Sequence, residues 1–163
     1  MREPTRIPTA RELMAKRLLT FRPEQTVHEA MALLLRWRVS GAPVVDASGQ
    51  LIGVLSELDC LRLLASDAFY VEFEEEGALV ADCMTSVWRA IPPDLGIYAM
   101  AHYFLTSPIR RLPVVEEGRL IGQVSRRDVL RGMDAMSRRR WIRKRFPDYL
   151  SPSESSGPRR ARL

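Results

Sequence analysis

The chain has 163 residues, of which 46% are hydrophobic, and this is enough for one compact unit with a shared core. It contains no apolar run near the ~18 residues of a membrane span, and no apolar stretch of a signal peptide follows Arg2 and Arg6. Cys60 and Cys83 have neither disulfide-framework nor metal-ligand spacing. These features favour a cytoplasmic protein in a reducing compartment.

The formal net charge of +5 is distributed unevenly along the chain. Residues 137–163 contain nine Lys and Arg against two acidic residues, so this tail carries +7 and the preceding 136 residues carry −2. An electrostatic partner is therefore expected at the tail rather than at the body. Pro, Ser, Gly and Arg dominate from Pro147 onward, which predicts that part of the tail is disordered.

The first half of the chain predicts alternating helices and strands. Thr9 and Glu12 have the spacing of a capping box at the start of a short helix, and residues 18–21 predict a strand. Two aliphatic runs flank turn residues 46–49 and predict a hairpin, which is followed by a helix from residue 57 to about 65. Before the hairpin, apolar residues at helical spacing predict an amphipathic helix; they are Val27, Ala30, Met31, Leu34 and Leu35.

The hairpin region occurs twice. Segment 41–59 corresponds to segment 111–128, with an offset of 70 residues before the turn and 69 after it. The similarity extends over residues 9–66 and 79–136, so two copies of one small unit are expected to share a core. The second copy predicts strands at 87–90, 112–115 and 120–124, a helix after Asp94, and a last helix from Ser125 that continues toward Trp141.

Each copy resembles a CBS domain, the small module named after cystathionine β-synthase. The resemblance is carried by residues 40–46 and 51–59 in the first copy and by 110–115 and 120–128 in the second. It implies an α+β fold of two tandem β-α-β-β-α repeats with mixed three-stranded sheets, packed as one pseudo-two-fold Bateman module. The expected organisation is repeat 1 at 9–66, a linker at 67–78, repeat 2 at 79–136 and a basic, partly disordered tail at 137–163.

The two Ser-x-x-Asp pairs, Ser56 with Asp59 and Ser125 with Asp128, have two interpretations. Each pair has the spacing of a capping box, which stabilises a helix by about 0.5–2 kcal/mol without any ligand. Alternatively, the serine and the helix N-terminus bind a phosphate, and the aspartate accepts hydrogen bonds from a ribose. In the second interpretation, the preceding glycines, Gly53 and Gly122, let the ligand approach the strand backbone.

The family resemblance implies that adenine nucleotides bind in two clefts between the repeats. AMP, ADP and ATP are the expected regulatory ligands, S-adenosylmethionine remains an alternative, and no cofactor is required. Four arginines, at 110, 111, 126 and 127, favour the second site for an anion. The first site would contain Thr20, Val39, Gly41, Ala42, Pro43, Ser56 and Asp59, and the second Ala90, Ile109, Arg111, Leu112, Pro113, Ser125, Arg127 and Asp128.

Other functions remain open as alternatives. In the family, the CBS part is regulatory and the catalytic domain is a different one, so we expect neither an enzyme nor, from the isolated His28 and His102, a metal site. A homodimer acting on a regulated protein of unknown identity is expected, with Leu61, Leu64, Leu130 and Met133 as interface candidates. The rivals are a ligand-free dimerisation or protein-interaction scaffold and, less favoured, nucleic-acid contact through residues 138–146, where basic and aromatic residues alternate.

Overall fold

The computed structural model describes residues 6–65, 77–86 and 89–145, without the side chains of Leu64 and of residues 139–145. Most of the predicted linker 67–78 and the tail beyond residue 145 therefore lie outside the described residues, as does the start of the predicted strand 87–90. The elements are α1 (Ala10–Leu13), α2 (Val27–Trp37), β1 (Gly41–Val45), β2 (Leu51–Ser56), α3 (Glu57–Leu64), α4 (Val80–Cys83), β3 (Thr85–Ser86), α5 (Ile97–Thr106), β4 (Arg111–Glu116), β5 (Arg119–Ser125) and α6 (Arg126–Arg145).

Each repeat places a helix before and after an antiparallel hairpin, so the fold is α+β as expected. Helix α2 begins with a reciprocal capping box: the Glu29 backbone N–H donates to the Thr26 hydroxyl, and the Thr26 backbone N–H donates to the Glu29 carboxylate, both at 3.2 Å. The helix ends at Arg38, whose left-handed backbone (φ 53°) breaks the helical hydrogen-bond pattern.

The predicted strand 18–21 is reduced to Phe21, and in the second repeat the equivalent bridge lies at Ile91, one residue after the predicted strand 87–90, of which only residues 89 and 90 are described. Phe21 forms a parallel bridge to Val44 and Ile91 forms one to Val114. Pro23 and Pro93 follow two residues later and lack the N–H needed to extend the ladder. These parallel bridges lie beside antiparallel strands, β1-β2-β3 in one sheet and β4-β5 in the other, so the pairing is mixed as expected.

The two repeats exchange their N-terminal segments. The Ala10 backbone N–H donates to the Leu95 carbonyl at 2.8 Å, and Ala15 bridges to Gln123, so α1 packs on the second repeat. In the same way, the Val80 N–H donates to the Gln25 carbonyl, and β3 pairs with β2 of the first repeat. Each hydrophobic core therefore contains side chains from both repeats, and neither repeat buries its own apolar face alone.

The turns of the two hairpins also pair with each other. The Leu51 N–H donates to the Gly118 carbonyl, and the Leu120 N–H donates to the Gly49 carbonyl, both at 3.1 Å. Both glycines have positive φ, 83° at Gly49 and 78° at Gly118, a conformation in which other residues are strained. These bonds and the exchanged segments hold the two repeats together from both sides.

Helix α6 is 20 residues long and ends at Arg145, so it includes the predicted continuation toward Trp141 and extends four residues beyond it. Its second half carries six of the nine basic residues of the tail. Among the described residues, no helix combines the length and the hydropathy needed to cross a bilayer.

Candidate functional site

The first Ser-x-x-Asp pair forms a closed hydrogen-bond network at the start of α3. Asp59 Oδ2 accepts the Ser56 backbone N–H at 2.9 Å and the Ser56 hydroxyl at 2.5 Å, while the Asp59 N–H donates to Ser56 Oγ at 3.3 Å. Asp59 Oδ1 accepts from the Thr85 hydroxyl at 3.1 Å and from the Arg62 guanidinium at 3.3 Å. Both carboxylate oxygens are engaged, and the side chain is only 6% exposed.

The second pair repeats the box at the start of α6 but leaves the carboxylate more open. Asp128 Oδ2 accepts the Ser125 N–H at 2.8 Å and the Ser125 hydroxyl at 2.6 Å. Its Oδ1 faces Arg131 at 3.9 Å, and the side chain is 19% exposed. Ala15 occupies the position equivalent to Thr85 and has no hydroxyl to donate. The capping interpretation is confirmed for both helices, and the two boxes differ in how accessible the carboxylate is.

The larger cleft opens beside the first box and has a volume of about 710 Å³. One wall is the N-terminus of α3, and the other is segment 108–111 of the second repeat. The Arg126 guanidinium donates to the Ile109 carbonyl at 2.9 Å and so fixes this segment. Four arginines from both repeats line the cleft against two carboxylates; they are Arg62, Arg89, Arg110 and Arg111 against Glu57 and Asp59.

A smaller cleft of about 350 Å³ opens beside the second box. Its lining combines Ser125, Asp128 and Arg127 from the second repeat with residues of the first repeat. The contributions of the first repeat are Ala15, Arg17, Leu18, Leu19, Trp37, Val39 and Gly41. Both clefts therefore lie between the repeats, as the family resemblance implied.

The structure regroups the predicted site residues across the repeats. Val39, predicted for the first site, lines the cleft of Asp128, whereas Ile109 and Pro113, predicted for the second site, line the cleft of Asp59. Ser56, Asp59, Gly41, Ser125, Asp128, Arg111 and Arg127 line the clefts to which they were assigned. The other predicted residues line neither cleft: Ala42, Pro43 and Leu112 are buried, and Thr20 and Ala90 are exposed elsewhere.

Gly53 and Gly122 occupy equivalent positions of the two repeats, and both serve the contact between repeats. A Cβ at Gly53 would lie 2.5 Å from Met84 Sδ, and one at Gly122 would lie 2.7 Å from Met14 Cγ. The space beside each strand is thus filled by a methionine of the exchanged segment. The expectation that these glycines admit a ligand is corrected, because each makes room for the other repeat instead.

The cations are shared between the clefts more evenly than the sequence predicted. Arg110 lines the larger cleft, Arg127 the smaller, and Arg111 both, while Arg126 is bonded to the Ile109 carbonyl. Arg17 and Arg89 also line the clefts but were not predicted from the sequence. Each follows an exchanged segment along the chain, Arg17 after α1 and Arg89 after β3. The Arg89 guanidinium stacks 4.6 Å from the centroid of the Tyr103 ring, which orients it.

Nothing in the described ranges suggests a metal centre. Within them, no group of three or more His, Cys, Asp or Glu residues is close enough to hold a metal ion. Neither Cys60 nor Cys83 is in a disulfide, and the two side chains pack in or against the first core. Burial, followed by the nearby Asp59 carboxylate, raises the pKa of the Cys60 thiol to about 11, so this thiol stays protonated at neutral pH.

Comparison with known proteins agrees with this architecture. The CBS domain family model matches residues 10–66 and 80–135. The chain belongs to the CBS domain family. Because the match is tandem, the protein is a CBS pair, or Bateman module.

Two curated relatives match this chain over only part of their own length. The chloroplastic protein CBSX1 of Arabidopsis thaliana is 30% identical over 148 residues, which cover 76% of this chain and 63% of CBSX1. The uncharacterized protein MJ1225 of Methanocaldococcus jannaschii is 30% identical over 121 residues, covering 74% of this chain and 41% of that protein. The CBS pair thus spans less than two thirds of the length of either relative.

A solved structure of a related pair contains a nucleotide. The crystal structure of CBSX2 in complex with AMP superposes with a TM-score of 0.70 and 31% sequence identity. The superposition covers 79% of this chain and 98% of the CBSX2 chain, which in a second structure is described as a CBS-pair protein of Arabidopsis thaliana. AMP binding is thus a property of a related CBS pair.

Proposed function

We propose that this CBS pair is a regulatory module that senses an adenine nucleotide in the clefts between its repeats. The observation that carries the proposal is the composition of the larger cleft. It combines a helix N-terminus and a serine hydroxyl from one repeat with Arg110 and Arg111 from the other. A ligand with a phosphate group would therefore contact both repeats at once.

The chemistry of each wall suits a different part of a nucleotide. The N-terminus of α3 carries a partial positive charge, and the guanidinium groups opposite it can bind phosphate oxygens in pairs. Val54, Ile109 and Pro113 supply apolar surface for a purine ring. In the smaller cleft, the more exposed Asp128 carboxylate is the better acceptor for ribose hydroxyls, because Thr85 and Arg62 already bind Asp59.

AMP, ADP and ATP are the proposed ligands, with S-adenosylmethionine as a second adenosyl candidate. The AMP complex of CBSX2 supports this class because the two chains share their fold and 31% of their aligned residues. The volume of about 710 Å³ lies in the range of small-molecule sites, about 300–1,000 Å³, whereas 350 Å³ is at its lower end.

The proposed mechanism is a shift in the population of relative repeat arrangements. A ligand bound to both walls favours the arrangement in which its contacts to both repeats are made. Its effect on a partner equals its difference in affinity between the two arrangements. The regulated protein is therefore expected to contact a surface that changes when the repeats move, and its identity is not encoded in the clefts.

A homodimer and a cytoplasmic location are also part of the proposal. Leu61 on α3 and Leu130 on α6 occupy equivalent positions of the two repeats and are 59% and 67% exposed, so each offers apolar surface to a partner. Of the other interface candidates, Met133 packs against the second core, and the Leu64 side chain lies outside the described residues. Two cysteines that form no disulfide fit a reducing compartment.

The test is thermal unfolding of the protein against AMP, ADP, ATP, S-adenosylmethionine and adenosine. A ligand at about 100 times its Kd stabilises the native state by ~2.7 kcal/mol, which raises Tm by several degrees. Asp59→Ala and Asp128→Ala, each checked for folding by circular dichroism, should reduce or abolish the shift at their own cleft. The matched control is Asp82→Ala, an exposed acidic residue of α4 that lines neither cleft.

The alternatives predict different results. A flat response of the folded protein to the whole panel would contradict the sensor and leave the ligand-free dimerisation scaffold. Nucleic-acid contact would instead appear as binding that weakens steeply with salt and is lost when residues 138–146 are removed. Either result would move the function away from the clefts.

A further inference from the structure

One side chain lies where the two clefts meet. Arg111, Gln123 and Gly41 line both the larger and the smaller cleft. Of these three, Arg111 alone carries a charge. It pairs in the sheet with Ser125, the residue that starts α6 beside the smaller cleft, and it follows segment 108–110 of the larger cleft. The larger cleft thus lies on one side of Arg111 and the smaller on the other.

Arg111 has no cationic counterpart in the first repeat. The equivalent of Arg111 in the first repeat is Gly41, and the equivalent of Gln123 is Val54. The first repeat therefore contributes no charge to the shared wall. In place of two symmetric cations, one for each cleft, a single guanidinium serves both.

The clefts depend on Arg111 to different degrees. Besides Arg111, the larger cleft has three arginines, one of which is paired with Asp59. The smaller cleft has Arg17 and Arg127 besides Arg111, against Asp128. Among the described residues, no hydrogen bond or ion pair holds the Arg111 guanidinium to either side. A phosphate in either cleft can therefore recruit it.

We propose that Arg111 couples the two clefts negatively, so that an anionic ligand in one lowers the affinity of the other for a second anion. The inference rests on the proposed nucleotide binding. A phosphate bound in one cleft pairs with the Arg111 guanidinium and neutralises its charge. A phosphate that then binds in the other cleft finds one cation fewer there. The sensor consequently responds over a wider range of ligand concentration than two independent sites would.

The experiment must separate coupling from two clefts that merely differ in affinity. Ser86→Trp places an indole in the larger cleft alone, and Ala15→Trp places one in the smaller alone, since Ser86 and Ala15 are exposed residues that each line one cleft. Isothermal titration with AMP gives one affinity for each single-cleft variant. Without coupling, the product of the two association constants equals the overall constant of the wild-type protein.

Negative coupling makes the wild-type overall constant smaller than that product, by a factor of about ten if the coupling is of ordinary size. Repeating the three titrations with Arg111→Gln should bring the ratio back to one, with weaker binding in both clefts. Arg110→Gln and Arg127→Gln are the matched controls, because each guanidinium lines one cleft only. They should weaken one cleft and leave the ratio below one.

The results distinguish failure of the Arg111 coupling from failure of nucleotide sensing. A ratio of one in the wild type, or a low ratio that Arg111→Gln leaves unchanged, overturns the coupling while nucleotide sensing stands. If the wild type binds a single equivalent, both single-cleft variants must still bind AMP; binding in only one of them also overturns the coupling. Absence of binding to all folded variants, with AMP and with the other adenosyl ligands of the panel, overturns the sensor itself.

Discussion

The two repeats share one plan but fill it with different side chains. The first core has its larger residues, Phe21 and Leu55, where the second has Ile91 and Val124. The second core has larger residues at two other positions, Met100 and Leu112 in place of Ala30 and Ala42. Volume added at one position is thus offset at another, as dense packing requires. The backbone plan is repeated, whereas the side-chain packing is specific to each core.

The same contrast extends to the clefts. The larger cleft has a carboxylate that is bonded on both oxygens, and it relies on cations from the opposite repeat. The smaller cleft has a more exposed carboxylate at Asp128 and less space. The proposed phosphate contacts therefore favour the larger cleft and the proposed ribose contacts the smaller. The duplicated motif has the same helix-capping role in both repeats, and what surrounds it differs.

The largest expected effect comes from making the second core resemble the first. Leu112→Ala copies Ala42 at a fully buried position without the compensating increase elsewhere. We expect it to lower the free energy of unfolding by about 2–5 kcal/mol, because it removes a buried side chain and leaves a cavity. Urea denaturation measures the loss. Leu105→Ala, at an 85% exposed leucine, is the control and should change stability by less than ~0.5 kcal/mol.

A second prediction compares Gly53 and Gly122, the two strand glycines that contact an exchanged segment of the other repeat. An added methyl at Gly122 would lie 3.0 Å from the Ala15 carbonyl oxygen and 2.7 Å from Met14 Cγ, whereas at Gly53 the Thr85 oxygen is 3.2 Å away and Met84 Cγ 3.1 Å. Overpacking of this kind costs about 1–3 kcal/mol, and we expect Gly122→Ala to cost more than Gly53→Ala. Thermal unfolding of both variants measures the loss of stability. A larger loss for Gly53→Ala than for Gly122→Ala would contradict the tighter contacts at Gly122.

The sequence predicted the local elements well and the pairing between repeats poorly. The capping boxes, the hairpins and α2 follow from side chains within a few residues of one another, so their pattern is visible in one segment. The exchange of α1 and α4 depends on which of two equivalent sheets each segment joins, and the two sheets present nearly the same edge. Local pattern cannot distinguish them, so the site residues were grouped by repeat and Arg17 and Arg89 were missed.

A third prediction tests whether the two capping boxes are energetically alike. Ser56→Ala and Ser125→Ala each remove the hydroxyl that accepts an N–H at the start of a helix and donates to the aspartate. Each should lower stability by about 0.5–2 kcal/mol. Ser→Thr at the same positions is the control, since it keeps the hydroxyl. A loss at only one position would show that the boxes differ in strength despite their matching geometry.

The smallest expected effect concerns a titrating group that only the first core contains. Cys60 is buried where the second repeat has Val129, and burial raises its pKa from 9.0 to about 11. In the unfolded chain the thiol ionises near pH 9 and in the folded chain it does not, so the unfolded state binds fewer protons above this pH. The contribution is therefore complete below pH 9 and is lost as the pH rises toward 11. One proton accounts for ~1.4 kcal/mol per pH unit at most, so between pH 8 and 9.5 the loss stays under about 1 kcal/mol.

Cys60→Val copies the second repeat and removes the titrating thiol. Urea denaturation of both proteins gives the slope of unfolding free energy against pH, and the difference between the two slopes is the contribution of the thiol. Parallel slopes would mean that Cys60 ionises alike in both states, and thus that the first core is looser around this residue than its burial indicates.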